Sequence, residues 1–142
     1  MTLKNKVVWI TGASSGIGKS LAIEMSKHDC KLILSSRRIT ELEKVKALCE
    51  DSSRVVVIPL DLAETASMKI IAEQAISAFG QVDILINNGG ISQRSPIIET
   101  SIEVDRKLME IDYLGTVALS KSILEKQITN QSPTPQTVGF IV

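Results

Sequence analysis

The segment Thr11-Gly12-Ala13-Ser14-Ser15-Gly16-Ile17-Gly18 places three glycines and two serines, with no acid, directly behind the apolar run Val7–Ile10. A turn at Gly12 and bare backbone at Gly16 and Gly18 let main-chain amides approach an anion closely. Serine hydroxyls add donors, whereas a carboxylate at the same place would repel a phosphate. Ile17, Leu21 and Met25 follow at helical spacing, so the segment opens a helix whose first amides and dipole favour the same anion. Thr11, Gly12, Ser14, Ser15, Gly16, Ile17 and Gly18 are therefore candidate phosphate-binding residues. Glycines also build ordinary strand-to-helix turns, but the strand–turn–helix context favours the anion reading.

The elements that must position this turn are legible from patterning. Short, continuous apolar runs occur at 7–10, 31–35, 54–60, 82–86 and 138–142, as expected of strands covered on both faces. Helical spacing marks the segments between them: Ile39, Leu42, Val45 and Leu48; then Met68, Ile71, Ala75 and Phe79; then Val104, Leu108, Ile111, Gly115 and Ala118. Thr40 three residues before Glu43 suggests a capping box, and Gly80 a helix end. Alternating strands and helices predict an α/β fold, a doubly wound, Rossmann-like parallel sheet of about five strands in the order 3-2-1-4-5. In such a sheet ligands bind beyond the carboxyl ends of the strands, where the order reverses. The first glycine turn belongs there. The tract at 129–137 carries two prolines and reads as a loop; its sequon Asn130-Gln131-Ser132 carries no weight.

Composition bounds the remaining possibilities. The 142 residues are 44% apolar and 23% charged with a formal net charge of zero, which fits one globular domain and excludes a strongly basic nucleic-acid binder. With four aromatics there is no stacking platform for single strands. The apolar run after the start is too short for a signal peptide or a membrane span, so the expected location is the cytoplasm and no membrane partner is expected. Cys30 and Cys49 form no CxxC pair and read as reduced core thiols rather than metal ligands. His28, near the end of the first helix, reads as a surface residue.

The glycine spacing resembles that of the short-chain dehydrogenase/reductase family, which carries T-G-x-x-x-G-x-G at this position. The resemblance extends in order along the chain. "LDLA" (60–63) follows the third strand where the family places an aspartate on the adenine amino group, which implies Asp61, with Leu62 beside it. "NNGG" (87–90) follows the fourth strand where the family usually has N-N-A-G. Asn87 and Asn88 are also intelligible alone, since two carboxamides at a central strand end can tie neighbouring strands and line the ribose side of a cleft. Gly89 stands in place of the family's alanine and is expected to widen the floor or loosen the turn. "NNGGISQRS" and "IDYLGTVALSK" further resemble a subgroup of the family, the dehydrogenase/reductase member seven-like proteins.

The resemblance implies a nicotinamide cofactor, and the second strand indicates which. An NAD-preferring site offers an acid at that strand's end for the ribose 2′-hydroxyl. Here Ser36 fills the slot, followed by Arg37 and Arg38. A guanidinium can fork a 2′-phosphate, so NADP(H) is expected in preference to NAD(H), with Arg37 as the expected clamp. Alternatively both arginines are solvated residues at a helix start.

The catalytic half of such an enzyme is not found. The family's donor is the Tyr of a Tyr-x-x-x-Lys motif, assisted by a Ser and a relay Asn. Tyr113 is the sole tyrosine and Val117 stands four residues on. Asp112 occupies the slot of the relay Asn and is the one catalytic candidate, able to accept a proton or merely to cap a helix irregularity. Residues 1–142 thus read as an NADP-binding domain lacking the catalytic Ser-Tyr-Lys, truncated relative to the family and inactive alone. The competing readings are a non-catalytic dinucleotide-binding module and a partner-dependent fragment. Small residues Gly115, Ala118 and Ser122 suggest a homo-oligomer through the fourth helix; the substrate, a small carbonyl or alcohol, is not legible.

Overall fold

The computed structural model describes residues 3–129 and 139–141. Its elements are β1 (Val7–Thr11), α1 (Gly16–Ser26), β2 (Lys31–Ser35), α2 (Ile39–Leu48), β3 (Val55–Val57), α3 (Met68–Phe79), β4 (Ile84–Ile86), α4 (Ile102–Leu108), a π-helical turn (Met109–Gly115), α5 (Thr116–Thr129) and β5 (Gly139–Ile141). The core of the sheet is four parallel strands in the order 3-2-1-4, and the backbone of β5 lies parallel to β4 at its edge. The proline-rich tract beyond Thr129, with its sequon, lies outside the described residues.

Continuous apolar strands form because both faces are covered. Along β1 the side chains alternate between two cores. Val7 and Trp9 join Met68, Ala72, Ala75, Leu119 and Ile123 on one side. Val8 and Ile10 join Ala22, Met25, Leu42 and Val45 on the other. Each fully buried Leu or Ile contributes about 1.5–3 kcal/mol. Trp9 is completely buried, and its indole N–H donates to Ser35 Oγ at 2.8 Å, so its one polar atom is satisfied. Both cysteines are buried and free, and loss of solvation raises both thiol pKa values, so they rest as thiols.

Register aligns the strand ends. Ile10 pairs with Leu34 and with Ile86, and Leu34 pairs with Val57. The chain leaves β1, β2, β3 and β4 at one level, so four loops meet at one rim. Beyond β3 the ladder continues irregularly, with Ile58 N–H on Leu34 O and Leu60 N–H on Ser36 O. Pro59 lies between them on an edge strand, where its missing donor costs no ladder bond.

Several expectations are corrected. Thr40 lies inside α2, whose N-cap is Arg38, and no side chain caps it, so the capping box does not form. Ile17, Ile39 and Leu48 are exposed rather than core, because the buried stripes run through Ala22–Met25 and Leu42–Val45. The long fourth helix is interrupted by the π-helical turn. Its small residues also face inward: Gly115 and Ser122 are buried, and Ala118 packs against the core. Gly80 ends α3 in the left-handed conformation, as its position suggested.

Candidate functional site

A cleft of about 670 Å³ opens at the rim where the four loops meet. Its size suits a cofactor, for which clefts of about 300–1,000 Å³ are usual. Of the residues that the sequence nominates, Thr11, Gly12, Ser14, Ser15, Gly16, Ile17, Ser36, Arg37, Arg38, Asp61, Leu62, Asn88 and Gly89 line it.

The glycine turn forms its floor. Gly12 and Gly16 have φ of +63° and +56°, a region that residues with a β-carbon enter at a cost. A β-carbon on Gly16 would meet no heavy atom within 4 Å, so the space above it is open. Gly18 serves a different end. Its β-carbon would lie 2.5 Å from Asn88 Nδ2 and 2.6 Å from Gly12 O, so it lets α1 close on the turn and does not line the cleft.

Ser15 is the N-cap of α1 but its side chain caps nothing, and the first turn holds no acid. The opening amides of that helix, which no helix satisfies internally, remain available to a ligand. The serine hydroxyls instead accept from Arg38, whose Nη2 lies 3.1 Å from Ser14 Oγ and 2.7 Å from Ser15 Oγ. Of the two arginines it is Arg38, rather than the expected Arg37, that reaches the glycine turn. Ser36 Oγ accepts from Arg38 N–H at 3.0 Å, which fixes the start of α2.

The two asparagines separate. Asn88 binds the strand ends together: its Nδ2 donates to Thr11 O at 3.0 Å and Gly12 O at 3.3 Å, and its N–H donates to Thr11 Oγ1 at 3.0 Å. Asn87 turns inward, away from the cleft, and donates to Ser120 Oγ at 3.2 Å. Its Oδ1 is buried with no hydrogen-bond partner among the described residues. A β-carbon on Gly89 would sit 3.0 Å from Leu62 Cδ1 and 3.2 Å from Gly12 N, so the missing methyl lets two loops touch.

Asp61 holds its own loop by accepting Ala63 N–H at 3.0 Å, and it faces the cleft. Asp112 is not among the lining residues; its Oδ1 accepts Ile91 N–H at 2.9 Å. Tyr113 is exposed and also lies off the cleft. His28 sits on the surface, with Nε2 3.8 Å from Glu24 Oε1. Sequence reasoning missed Ser35, Leu60, Gly90, Ile91, Ser92 and Ile111 as lining residues. The first five adjoin nominated motifs, and strand-end position was the signal for them. Ile111 comes from a distant helix and carried none. Among the described residues no cluster of three or more His, Cys, Asp or Glu side chains is placed to hold a metal.

Amide donors, hydroxyls and arginines around an open, acid-free glycine turn fit a dinucleotide's phosphates. Asp61 and the strand-end loops supply polar contacts on either side.

Comparison with known proteins bears on this reading. Residues 6–134 match a family model described as short chain dehydrogenase. The chain is 46% identical over 145 residues to Dehydrogenase/reductase SDR family member 7 of Homo sapiens, covering 99% of this chain and 43% of that protein. It is 46% identical over 135 residues to Dehydrogenase/reductase SDR family protein 7-like of Drosophila melanogaster, covering 92% of this chain and 41% of that one. It thus spans less than half the length of these relatives. Among solved structures, a short chain dehydrogenase from Bacillus anthracis superposes with a TM-score of 0.84 at 29% identity, over 91% of this chain and 54% of that one. An alcohol dehydrogenase from Thermococcus sibiricus complexed with 5-hydroxy-NADP gives 0.79 at 29% identity, over 86% of this chain and 53% of that one. A 3-ketoacyl-(acyl-carrier-protein) reductase from Brucella melitensis complexed with NADH gives 0.80 at 27% identity, over 87% and 51%.

Proposed function

The chain belongs to the short-chain dehydrogenase family, whose members use a nicotinamide dinucleotide, and from that membership we propose that it is the NADP(H)-binding part of an oxidoreductase acting on a carbonyl or alcohol. Its architecture is the five-strand order 3-2-1-4-5 begun by the four central strands. When bound, the nicotinamide supplies hydride transfer; everything else here concerns how the chain holds it.

The observation that carries the NADP(H) preference is Arg38. Its guanidinium is held over the glycine turn by Ser14 and Ser15, beside Ser36, where no acid occurs. An arginine so placed can neutralise a 2′-phosphate, and Arg37 adds charge at the same rim. The family neighbours do not decide this point, since one is bound to an NADP derivative and another to NADH.

Asp61 would hold the adenine end, and Asn88 the ribose side through the loop that it braces. Turnover is not expected from these residues, because no Tyr-x-x-x-Lys occurs in the chain. A second reading is a dinucleotide-binding module that does no chemistry alone. We place the chain in the cytoplasm, where its two buried free thiols stay reduced. If copies associate along the fourth predicted helix, they do so through exposed Met109, Tyr113 and Leu114, because Gly115 and Ser122 are buried.

Calorimetric titration tests the proposal. NADPH should bind at least about tenfold more tightly than NADH, and Arg38→Ala should remove most of that difference while leaving NADH affinity nearly unchanged. Equal affinities in the wild type would refute the preference. Turnover of mixed carbonyl substrates by residues 1–142 would refute the assignment of the chain as non-catalytic by itself.

A further inference from the structure

Residues 87–90 read Asn-Asn-Gly-Gly, and Asn88-Gly89 is the one Asn-Gly pair in the chain. A glycine after an asparagine leaves its amide nitrogen unshielded by a β-carbon, so that nitrogen can reach the carboxamide carbon before it. The fold leaves little room for anything else at position 89, since a β-carbon would sit 3.0 Å from Leu62 Cδ1 and 3.2 Å from Thr11 Oγ1. The packing that brings two cleft loops together thus places a chemically labile pair between them.

Both reacting groups are held by the end of β1. Thr11 Oγ1 accepts Gly89 N–H at 2.9 Å and Asn88 N–H at 3.0 Å, and it donates to Ile86 O at 3.3 Å, so this buried hydroxyl is fully used. The Asn88 carboxamide donates through Nδ2 to Thr11 O at 3.0 Å and Gly12 O at 3.3 Å. Asn88 itself is half-buried on the wall of the open cleft, where water can reach it.

We propose that Asn88-Gly89 is a spontaneous deamidation site, guarded by the Thr11 hydroxyl, whose reaction ends dinucleotide binding. The Gly89 nitrogen attacks Asn88 Cγ. The N–Cγ bond forms, the Cγ–Nδ2 bond breaks, and ammonia leaves with the proton that Gly89 gives up. Water then opens the imide, at Cγ to give aspartate or at the main-chain carbonyl to give the β-linked isomer. No oxidant or reductant is needed. The product cannot restore the lost contacts, because a carboxylate has no hydrogen to donate and faces the two carbonyl oxygens that held Nδ2. It also sets a new negative charge beside the glycine turn, where it repels a diphosphate. The loss of binding rests on the reading that the cleft takes a nicotinamide dinucleotide; the reaction and its guard do not.

The test follows residue 88 by peptide mass spectrometry while the folded protein is incubated without ligand at mildly alkaline pH. Wild type unfolded in urea should convert at least about tenfold faster than folded wild type, the size of the hydrogen bonds released. Folded Thr11→Val should convert about three- to tenfold faster than wild type, and Thr11→Ser, which keeps the hydroxyl, should not. Asp83→Ala, which loosens the opposite rim of the sheet, should leave the rate unchanged. Gly89→Ala should suppress the reaction in folded and unfolded chains alike. Asn88→Asp, one of the two products, should bind NADPH at least about tenfold more weakly than wild type. Equal rates in wild type and Thr11→Val would overturn the guard, as would Asp83→Ala matching Thr11→Val. If Thr11→Val does not fold, the folded and unfolded wild-type rates decide, and equal rates overturn it. Wild-type affinity in Asn88→Asp would overturn the consequence for binding. If the wild type binds neither nicotinamide dinucleotide, the function proposal fails, and the conversion rates still decide the site.

Discussion

At the scale of single residues, the glycines of the turn perform separate tasks that their spacing alone does not distinguish. Gly16 needs its backbone angle and open space, whereas Gly18 needs the absence of volume. Alanine should separate the two. Gly16→Ala pays about 1–2 kcal/mol for the left-handed conformation and should stay folded, but its methyl projects into the cleft and NADPH affinity should fall. Gly18→Ala pushes a carbon into Asn88 and Gly12 and should cost about 3 kcal/mol or more, losing fold and binding together. Urea unfolding beside NADPH titration checks both; comparable stability losses would contradict the distinction. The motif was legible because a strand end, a turn and a helix start are neighbours in sequence. Three side-chain details were not. Arg38 rather than Arg37 meets the serines, Asn87 turns inward, and Gly89 closes a contact, each depending on atoms supplied by another loop.

At the scale of elements, strands were read well because alternate faces of β1 enter two cores, which forces the continuous apolar runs seen in the sequence. Helix interiors were read less well. Ile17 satisfied helical spacing yet is 79% exposed, because it points into the cleft rather than the core. The π-helical turn was legible only through Asp112, read as able to cap a helix irregularity, because the helical spacing of apolar residues runs on through it. A buried acid was also passed over. Asp83, 5% exposed, accepts Val7 N–H at 2.8 Å, two bonds from Gln81 Nε2, and Lys6 Nζ at 3.3 Å, and so ties the start of β1 to the start of β4. An aspartate inside the run "VDILI" was the available clue. Asp83→Ala leaves the Val7 amide buried without its acceptor, and should lower unfolding free energy by about 2–3 kcal/mol; Asp83→Asn should recover part of it. Chemical denaturation measures this, and an unchanged midpoint in Asp83→Ala would show that the carboxylate does not brace the sheet.

At the scale of the whole molecule, register is what turns four separate motifs into one site. Ile10, Leu34, Val57 and Ile86 end level with one another, so the loops beyond them converge without any long-range feature in the sequence announcing it. The family supplied the order of the motifs, and the sheet supplies the reason for it. Ion pairs between α3 and α5, Lys69 with Glu125 and Lys126 with Glu73, lie on the surface and add little to this frame. The central claim is that a dinucleotide's diphosphate rests on the amides between β1 and α1. A two-dimensional amide NMR titration with NADPH tests it most directly. Saturable shifts should concentrate at residues 13–18, with smaller ones at 36–38, 61–62 and 88–91. Shifts centred on any other surface, or none at all in a spectrum that is dispersed and folded, would contradict the account.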